Sequence, residues 1–265
     1  MFILGIICSF IMGLVLSLLG AGGSILTMPI LVYIFGINAI EATTYSLLLV
    51  GLTALMASYV YFKQGTINIK TAFIFGIPSI FGVLIVRQLL LPLIPNSLTF
   101  GITITKSFLI LFIFACLMFV SGLMMIKDRK PKIDKKNLNH ISKKILVIIE
   151  GIVVGAITGL VGAGGGFLII PALVLLAGLE MKIAIGTSLV IITMKSIIGF
   201  GGDVYQGFEV DWIFVFYVLI ATTIGVLMGN YISKFFSGHQ LKKYFGIMTL
   251  FVGSLIIVEQ LINLN

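Results

Sequence analysis

The sequence predicts an all-α polytopic membrane protein built from two inverted repeats of about five transmembrane segments each. Three observations predict it: a composition dominated by apolar residues, a series of apolar runs of membrane-crossing length, and a match between the two halves of the chain. Each predicted repeat contains a short segment that follows a glycine cluster and includes a proline. The predicted boundaries are 1–126 for the first membrane repeat, 127–144 for a basic linker and 145–265 for the second membrane repeat.

The composition decides the class of protein. Of the 265 residues, 60% are hydrophobic and only 10% are charged, whereas about 25% of the residues in a soluble domain are charged. A chain of this size cannot hide so much apolar surface from water, so lipid must be the solvent for most of it. Cys8 and Cys116 each lie inside an apolar run, which argues against a disulfide or a metal site. The first run lacks a basic flank, so we expect no cleavable signal peptide.

The apolar runs give the predicted transmembrane segments. Most of them reach the roughly 20 residues that a helix needs to cross the hydrocarbon core. The runs are 2–19, 24–35, 40–62, 71–91, 103–126, 145–161, 166–179, 183–205, 212–233 and 241–262. The second and seventh runs are short; each follows a glycine cluster, and they contain Pro29 and Pro171 respectively.

The two halves of the chain match at a constant offset of 142 residues. Residues 13–24 align with residues 155–166, and both stretches end in a glycine cluster. The same register pairs Pro29 with Pro171, Gly36 with Gly178, Ser46-Leu47 with Ser188-Leu189, and Gln64-Gly65 with Gln206-Gly207. Matching prolines, glutamines and glycines in one register indicate an internal duplication.

The charges predict the topology. Eight of the 17 Lys and Arg residues lie between Lys127 and Lys144, and the positive-inside bias places this linker in the cytoplasm. If each half crosses the membrane five times, most other lysines lie inside and both termini lie outside. If the short segment is instead a re-entrant loop, each half crosses four times, and Lys182 and Lys234 move outside. Because five is odd, the second repeat runs opposite to the first. Inverted repeats of this kind are common in secondary transporters.

The glycine clusters are the candidate substrate site. Glycine permits left-handed backbone dihedrals and lacks the Cβ that would block a ligand, and the helix start that follows offers free N–H groups and a positive dipole end. Two such elements facing each other near the midplane would bind a small anion. The alternative is that these glycines only permit close helix crossing. The clusters are Gly20, Ala21, Gly22, Gly23 and Ser24 in the first half, and Gly162, Ala163, Gly164, Gly165 and Gly166 in the second.

These motifs resemble the sulfite exporter TauE/SafE family of membrane transporters. The resemblance rests on the paired Gly-Ala-Gly-Gly clusters, the proline in each short segment and the two Gln-Gly pairs, and it covers essentially the whole chain. It implies export of small, often sulfur-containing anions such as sulfite, thiosulfate or organosulfonates. Ser24 stands where the second half has Gly166, and Tyr45 where it has Thr187, so the two half-sites cannot be identical.

Polar side chains near the clusters are predicted to complete the site. Ser46, Thr187 and Ser188 can donate hydroxyl hydrogen bonds to an oxyanion, as can Ser24, Thr27, Thr43 and Thr44. The alternative is that these hydroxyls bond back to their own helices or join helices together. Gln64 and Gln206 end their helices at matching positions and are interpreted as cap or gate residues.

Ionisable residues inside the predicted segments are few. Lys195 lies in the middle of the run 183–205, where a charge is costly and usually faces a cavity or a partner. Two roles stay open for it: it lines the anion pathway, or it forms an ion pair with Asp203. Arg87, Lys106 and Glu150 lie near segment ends, and we interpret all three as residues that snorkel to the interface.

The sequence therefore predicts a secondary transporter of the cell membrane that exports small anions by alternating access. The alternatives are a membrane enzyme, disfavoured because His140 and His239 both lie in polar loops, and a membrane scaffold without transport. We expect no catalytic residues, cofactor, metal or nucleic-acid partner; the lipid bilayer and the substrate are the expected partners, and the oligomeric state stays open. No nucleotide-binding Gly-x-x-x-x-Gly-Lys-Ser/Thr motif is present.

Overall fold

The computed structural model describes residues 2–20, 22–95, 97–99, 103–126, 140–162 and 164–262. Ala21 and Ala163 of the predicted site lie outside these described residues, and so do residues 127–139 of the predicted basic linker.

Six helices form the first half of the chain. They are α1 (Phe2–Leu19), α2 (Gly22–Pro29), α3 (Ala39–Lys63), α4 (Ile69–Ile85), α5 (Leu91–Leu93) and α6 (Lys106–Ile126). A π-helical turn at Ile30–Ile34 extends α2, and a second one at Val86–Leu90 joins α4 to α5. The second turn is notable because π-helical turns occur often at functional positions.

Five helices form the second half. They are α7 (His140–Val161), α8 (Gly166–Pro171), α9 (Met181–Tyr205), α10 (Trp212–Ser233) and α11 (Gly238–Ile262). A π-helical turn at Ala172–Leu176 extends α8, as the equivalent turn extends α2. The proline that closes each short helix lacks a backbone N–H, so it cannot donate the regular helical hydrogen bond.

One small element departs from the all-α prediction. Strands β1 (Ser97–Thr99) and β2 (Thr103–Thr105) form an antiparallel hairpin between α5 and α6. Ile94 ends α5 in an extended conformation because a residue that precedes a proline, here Pro95, disfavours the helical region. The β-branched threonines that follow favour strands.

The helices have the lengths that a membrane protein requires. In the described part of the chain, seven helical spans are long and apolar enough to cross a bilayer, and three apolar helices are shorter. The seven are Phe2–Leu19, Ala39–Lys63, Ile69–Leu93, Lys106–Ile126, Met181–Tyr205, Trp212–Ser233 and Gly238–Ile262; the three are Gly23–Ile34, Val147–Val161 and Gly166–Leu175. The prediction of a helical, multi-pass membrane protein is confirmed.

Side chains fix where several helices begin. The carboxylate of Asp211 accepts hydrogen bonds from the N–H groups of Ile213 and Phe214, each at 3.0 Å, at the start of α10. Asn38 and Asn68 cap α3 and α4 in the same way. These side chains satisfy backbone donors that have no partner within the helix.

Glycines allow the helices to pack closely. The most extensive helix pairs are α1 with α10, α4 with α7, α6 with α11, and α3 with α9. A Cβ added at Gly13 would lie 2.0 Å from the carbonyl oxygen of Thr222, and one at Gly155 would lie 2.1 Å from that of Ser79. Larger residues would therefore push these helices apart. Helices α3 and α9 are the most deeply buried of the long spans and form the centre of the molecule.

Candidate substrate site

The first glycine cluster lies between α1 and α9. Gly20 ends α1 with a left-handed φ of 71° and packs against Ile185 of α9. Helix α2 then turns back along α1, so that Gly23 contacts Leu16. Ser24 is fully buried in the first turn of α2. This cluster therefore brings the beginning of a short helix to the inner surface of α9.

The second glycine cluster lies against α3. Gly162 packs against Thr43, and Gly164 packs against Val50. Gly162, Gly164 and Gly165 all have positive φ, between 62° and 70°, and Gly165 caps the start of α8. Among the described residues of the first cluster, only Gly20 has a positive φ. The two clusters thus differ in backbone conformation as well as in sequence.

The two short helices meet inside the protein. Helix α2 contacts α3 and α11, helix α8 contacts α9 and α6, and α2 and α8 touch each other. Gly22, Gly23 and Gly166 all lie in the first turns of these helices. The structure therefore brings the two predicted half-sites into one region.

Lys195 lies beside the second cluster. Its side chain is only 1% exposed, and its ammonium group donates a hydrogen bond to Thr158 Oγ1 at 2.5 Å. A Cβ added at Gly165 would lie 2.6 Å from Lys195 Nζ, so the ammonium group is adjacent to the backbone of the cluster. Within the described residues, no carboxylate lies within 4 Å of this ammonium group. The predicted alternative of an ion pair with Asp203 is therefore wrong.

The predicted hydroxyl donors have different surroundings. Ser188 donates to the carbonyl of Ile185 at 2.8 Å and reaches the carbonyl of Gly20 at 3.4 Å. Thr187 Oγ1 instead accepts a hydrogen bond from the N–H of Asn68, outside the cluster. Ser46 Oγ is completely buried and has no hydrogen-bond partner among the residues that the structure describes. Of the three hydroxyls, that of Ser46 is thus the one without any hydrogen-bond partner among the described residues.

Ser46 faces the second cluster. It lies three residues after Thr43 and four before Val50, a spacing that places all three on one face of α3. Thr43 and Val50 contact Gly162 and Gly164 of the cluster. Ser46 therefore lies on the face of α3 whose residues contact this cluster.

Thr27 and Thr43 bond to their own helices. Thr27 Oγ1 donates to the carbonyl of Gly23 at 2.8 Å, and Thr43 Oγ1 donates to that of Ile40 at 2.7 Å. Such bonds satisfy a hydroxyl without any ligand.

Gln64 and Gln206 are the C-terminal cap residues of α3 and α9. Both side chains are exposed. The amide of Gln64 donates to Asn230 of α10 at 3.0 Å, whereas Gln206 lines a polar cavity at the end of α9. A gating role for either glutamine stays a prediction.

Arg87 forms the buried ion pair that the sequence analysis missed. Its side chain is 2% exposed, and its Nε donates to Asp203 Oδ1 at 2.7 Å while Nη2 contacts the other carboxylate oxygen. Nη1 donates to the carbonyl of Gly159 at 3.0 Å, and Nη2 also donates to Thr44 at 3.0 Å. The prediction that Arg87 snorkels to the interface is wrong, because its guanidinium points into the protein and finds its partners there.

Comparison with known proteins decides the family. The family model described as Sulfite exporter TauE/SafE matches residues 5–256. The chain belongs to the sulfite exporter TauE/SafE family.

Relatives of this TauE/SafE protein are named as probable membrane transporter proteins. "Probable membrane transporter protein YunE" of Bacillus subtilis is 27% identical over 97% of this chain and 98% of the relative. "Probable membrane transporter protein YdhB" of the same organism is 26% identical over 84% of this chain and 87% of the relative. "Probable membrane transporter protein MJ0441" of Methanocaldococcus jannaschii is 26% identical over 93% of both chains. No solved structure matches significantly.

One signal for the Arg87–Asp203 pair was present in this TauE/SafE sequence. Both residues lie a few positions inside the ends of their apolar runs, 71–91 and 183–205. The predicted topology places these two ends on the same side of the membrane. Opposite charges at similar depth on one side would have suggested the pair, although the sequence does not say which helices are neighbours.

Proposed function

We propose that this TauE/SafE protein is a secondary transporter that exports small anions, sulfur-containing oxyanions or organosulfonates, by alternating access. The substrate would bind where α2 and α8 meet, held by backbone N–H groups of the two glycine clusters and by Lys195. The family and the names of its relatives support transport, and the chemistry of the buried site supports an anion.

The surroundings of Lys195 carry this proposal. A buried charge normally has a partner of opposite charge, because removing it from water without one is expensive. Lys195 has only the neutral hydroxyl of Thr158 among the described residues. A bound anion next to Gly165 would supply the missing negative charge. Backbone N–H groups at the start of α8 would add charge-assisted hydrogen bonds.

The packing of the helices supports inverted repeats. At the 142-residue offset, α3 is equivalent to α9 and α6 is equivalent to α11. Gly51 lies next to Ser196 while Gly199 lies next to Leu47, so α3 and α9 run antiparallel. At the same offset, α1 is equivalent to α7, and α10 is equivalent to α4. The α1–α10 pair therefore corresponds to the α7–α4 pair, and both pairs pack extensively. This arrangement is expected if the second repeat is inverted relative to the first.

The repeats lead to a topology prediction for the cell membrane. We expect the linker 127–144 and the loop Lys234–Lys243 to lie on the same, cytoplasmic side, with both termini outside. Single cysteines introduced in each loop of a variant lacking Cys8 and Cys116 should react with a membrane-impermeant reagent only after the inner face is exposed. Reaction of the Lys234–Lys243 loop in intact cells would contradict the inverted arrangement.

The substrate class is tested by transport into liposomes. Protein reconstituted in liposomes is expected to move labelled sulfite, thiosulfate or a small organosulfonate faster than a labelled carboxylate of similar size. Thermal shift of the detergent-purified protein gives a second measurement, because an anion that binds the folded state raises its melting temperature. Absence of both flux and thermal shift for every anion in the panel would refute anion transport.

Ser46 gives a specific prediction for the site. The substitution Ser46→Ala removes a hydroxyl that has no partner in the described part of the chain, so the folded state should lose no hydrogen bond. If this hydroxyl donates to the bound anion, affinity should fall about tenfold. Titration of the thermal shift with anion measures the change.

The matched control is Ser196→Ala. Ser196 Oγ is also fully buried and has no hydrogen-bond partner among the described residues, and Ser196 packs against Gly51 of α3. Its replacement should leave anion affinity unchanged. Equal effects of the two substitutions would argue against contact between Ser46 and the substrate.

A further inference from the structure

A polar cavity opens at the end of α9. Its volume is about 400 Å³, and its polar lining comes from Thr44, Arg87, Lys106, Asp203 and Gln206. It lies where α3 begins and where α4 and α9 end. This side of the protein, which we call a mouth, is opposite to the side where the ends of α6 and α7 flank the linker. We call it the α9 cavity.

Arg87 holds three helices together at the base of the α9 cavity. Its guanidinium bonds to Asp203 of α9, to the carbonyl of Gly159 in α7 and to Thr44 of α3. Arg87 itself lies in the π-helical turn that follows α4. Separation of α3 from α9 at this mouth therefore requires the guanidinium to release partners on at least one of them.

The charges of the α9 cavity favour an anion. Arg87 and Lys106 contribute two positive charges, and Asp203 contributes one negative charge. Lys106 Nζ donates to the carbonyl of Leu91, so its charge is not neutralised by that contact. A small oxyanion that enters the cavity meets a net positive lining, with Asp203 as its only competitor among the polar lining residues.

The opposite mouth lacks this charged arrangement. At the 142-residue offset, Asp203 corresponds to Tyr61, Gly159 to Ser17 and Arg87 to Gly229. The hydroxyl of Tyr61 donates to the carbonyl of Ser17 at 2.7 Å, so a neutral hydrogen bond replaces the ion pair. The two mouths are thus closed by different chemistry, although they occupy equivalent positions in the repeats.

We propose that the α9 cavity is a second anion site and that the Arg87–Asp203 pair is its gate. A small oxyanion in the cavity displaces the Asp203 carboxylate from Arg87, and this exchange frees α9 from α3 and opens the mouth toward the glycine clusters. The inference rests on the proposed transport function, since it assigns this mouth to the path of the same anion.

The gate is tested by the accessibility of Ser46, which lies deeper than Thr44 along α3. In a variant with Cys8→Ser and Cys116→Ser, a reporter Ser46→Cys should react slowly with a membrane-impermeant thiol reagent applied on the side of the α9 cavity. A Tyr205→Cys reporter, at a side chain that is 91% exposed, marks that side. The additional change Asp203→Asn should increase the rate at Ser46→Cys about tenfold to one-hundredfold.

Two further variants keep the test decisive. Tyr61→Phe removes the bond that closes the other mouth, and it should leave the rate from the α9 side unchanged. Thr44→Val retains the ion pair but removes one bond to Arg87, so it should give a smaller increase if Asp203→Asn does not fold. A folded Asp203→Asn protein with an unchanged reporter rate, or an equal acceleration by Tyr61→Phe, would overturn the gate.

The Lys195→Met substitution is expected to weaken binding at the glycine clusters. Binding at the α9 cavity can therefore be measured separately in this background. Methanesulfonate should produce a thermal shift in Lys195→Met/Asp203→Asn, where Arg87 is free to bind it, and a smaller one in Lys195→Met alone. No difference between them would remove the second anion site. Absence of flux in the wild-type protein would instead refute transport, while the reporter rates would still show whether the ion pair closes this mouth.

Discussion

Replacement of Lys195 by methionine is expected to give a folded protein that binds small anions at least about tenfold more weakly. The substitution keeps the length of the side chain and removes the buried charge. Because an isolated charge at the centre of a membrane helix costs about 2.5–3.5 kcal/mol, the variant should also be more stable than the wild-type protein when no anion is present. Thermal unfolding with and without methanesulfonate measures both effects.

Two variants distinguish a role in binding from a role in folding. Lys195→Arg keeps the charge and should retain part of the affinity. Lys182→Met removes a lysine from the exposed beginning of the same helix and should change neither property. Unchanged anion affinity in a stable Lys195→Met protein would exclude the lysine from the substrate site.

Replacement of Gly165 by alanine is expected to abolish anion binding and transport. The added Cβ would lie 2.0 Å from Thr158 Cγ2 and 2.6 Å from Lys195 Nζ, so Thr158 and the ammonium group must both move. The φ of 67° adds a strain of about 1–2 kcal/mol for any residue with a Cβ. Liposome flux, anion affinity and melting temperature should all decrease.

Gly36→Ala is the matched control for backbone strain. Gly36 has a similar φ of 73°, but a Cβ there would meet nothing within 4 Å. This variant should lose a comparable amount of stability from its backbone and still bind anions. If Gly165→Ala binds anions as well as Gly36→Ala does, the space beside Lys195 is not the substrate site.

Much of the fold was accessible from the sequence because lipid imposes simple rules. Apolar runs must form helices to satisfy their backbone groups, so the run 40–62 closely anticipates α3 and the run 183–205 anticipates α9. The hairpin before α6 was not predicted. It is short, and the sequence around it retains the apolar character of the flanking segments.

The candidate site could be predicted only in part. Glycine clusters and the mid-helix Lys195 are visible in the sequence because both are unusual in a membrane span. Their partners are not visible, since Thr158 lies 37 residues from Lys195 and Asp203 lies 116 residues from Arg87. Periodicity along one helix gives the face of a residue but not the neighbouring helix.

The sequence alone predicted the solvent of this protein, the approximate extent of its helices and its family. These properties depend on composition and on local patterns, which do not require knowledge of distant contacts. Only the tertiary structure decided that Asp203 neutralises Arg87 rather than Lys195. Helix packing brings the end of α4 to the end of α9, and it encloses Lys195 beside Gly165, where the described residues provide no carboxylate.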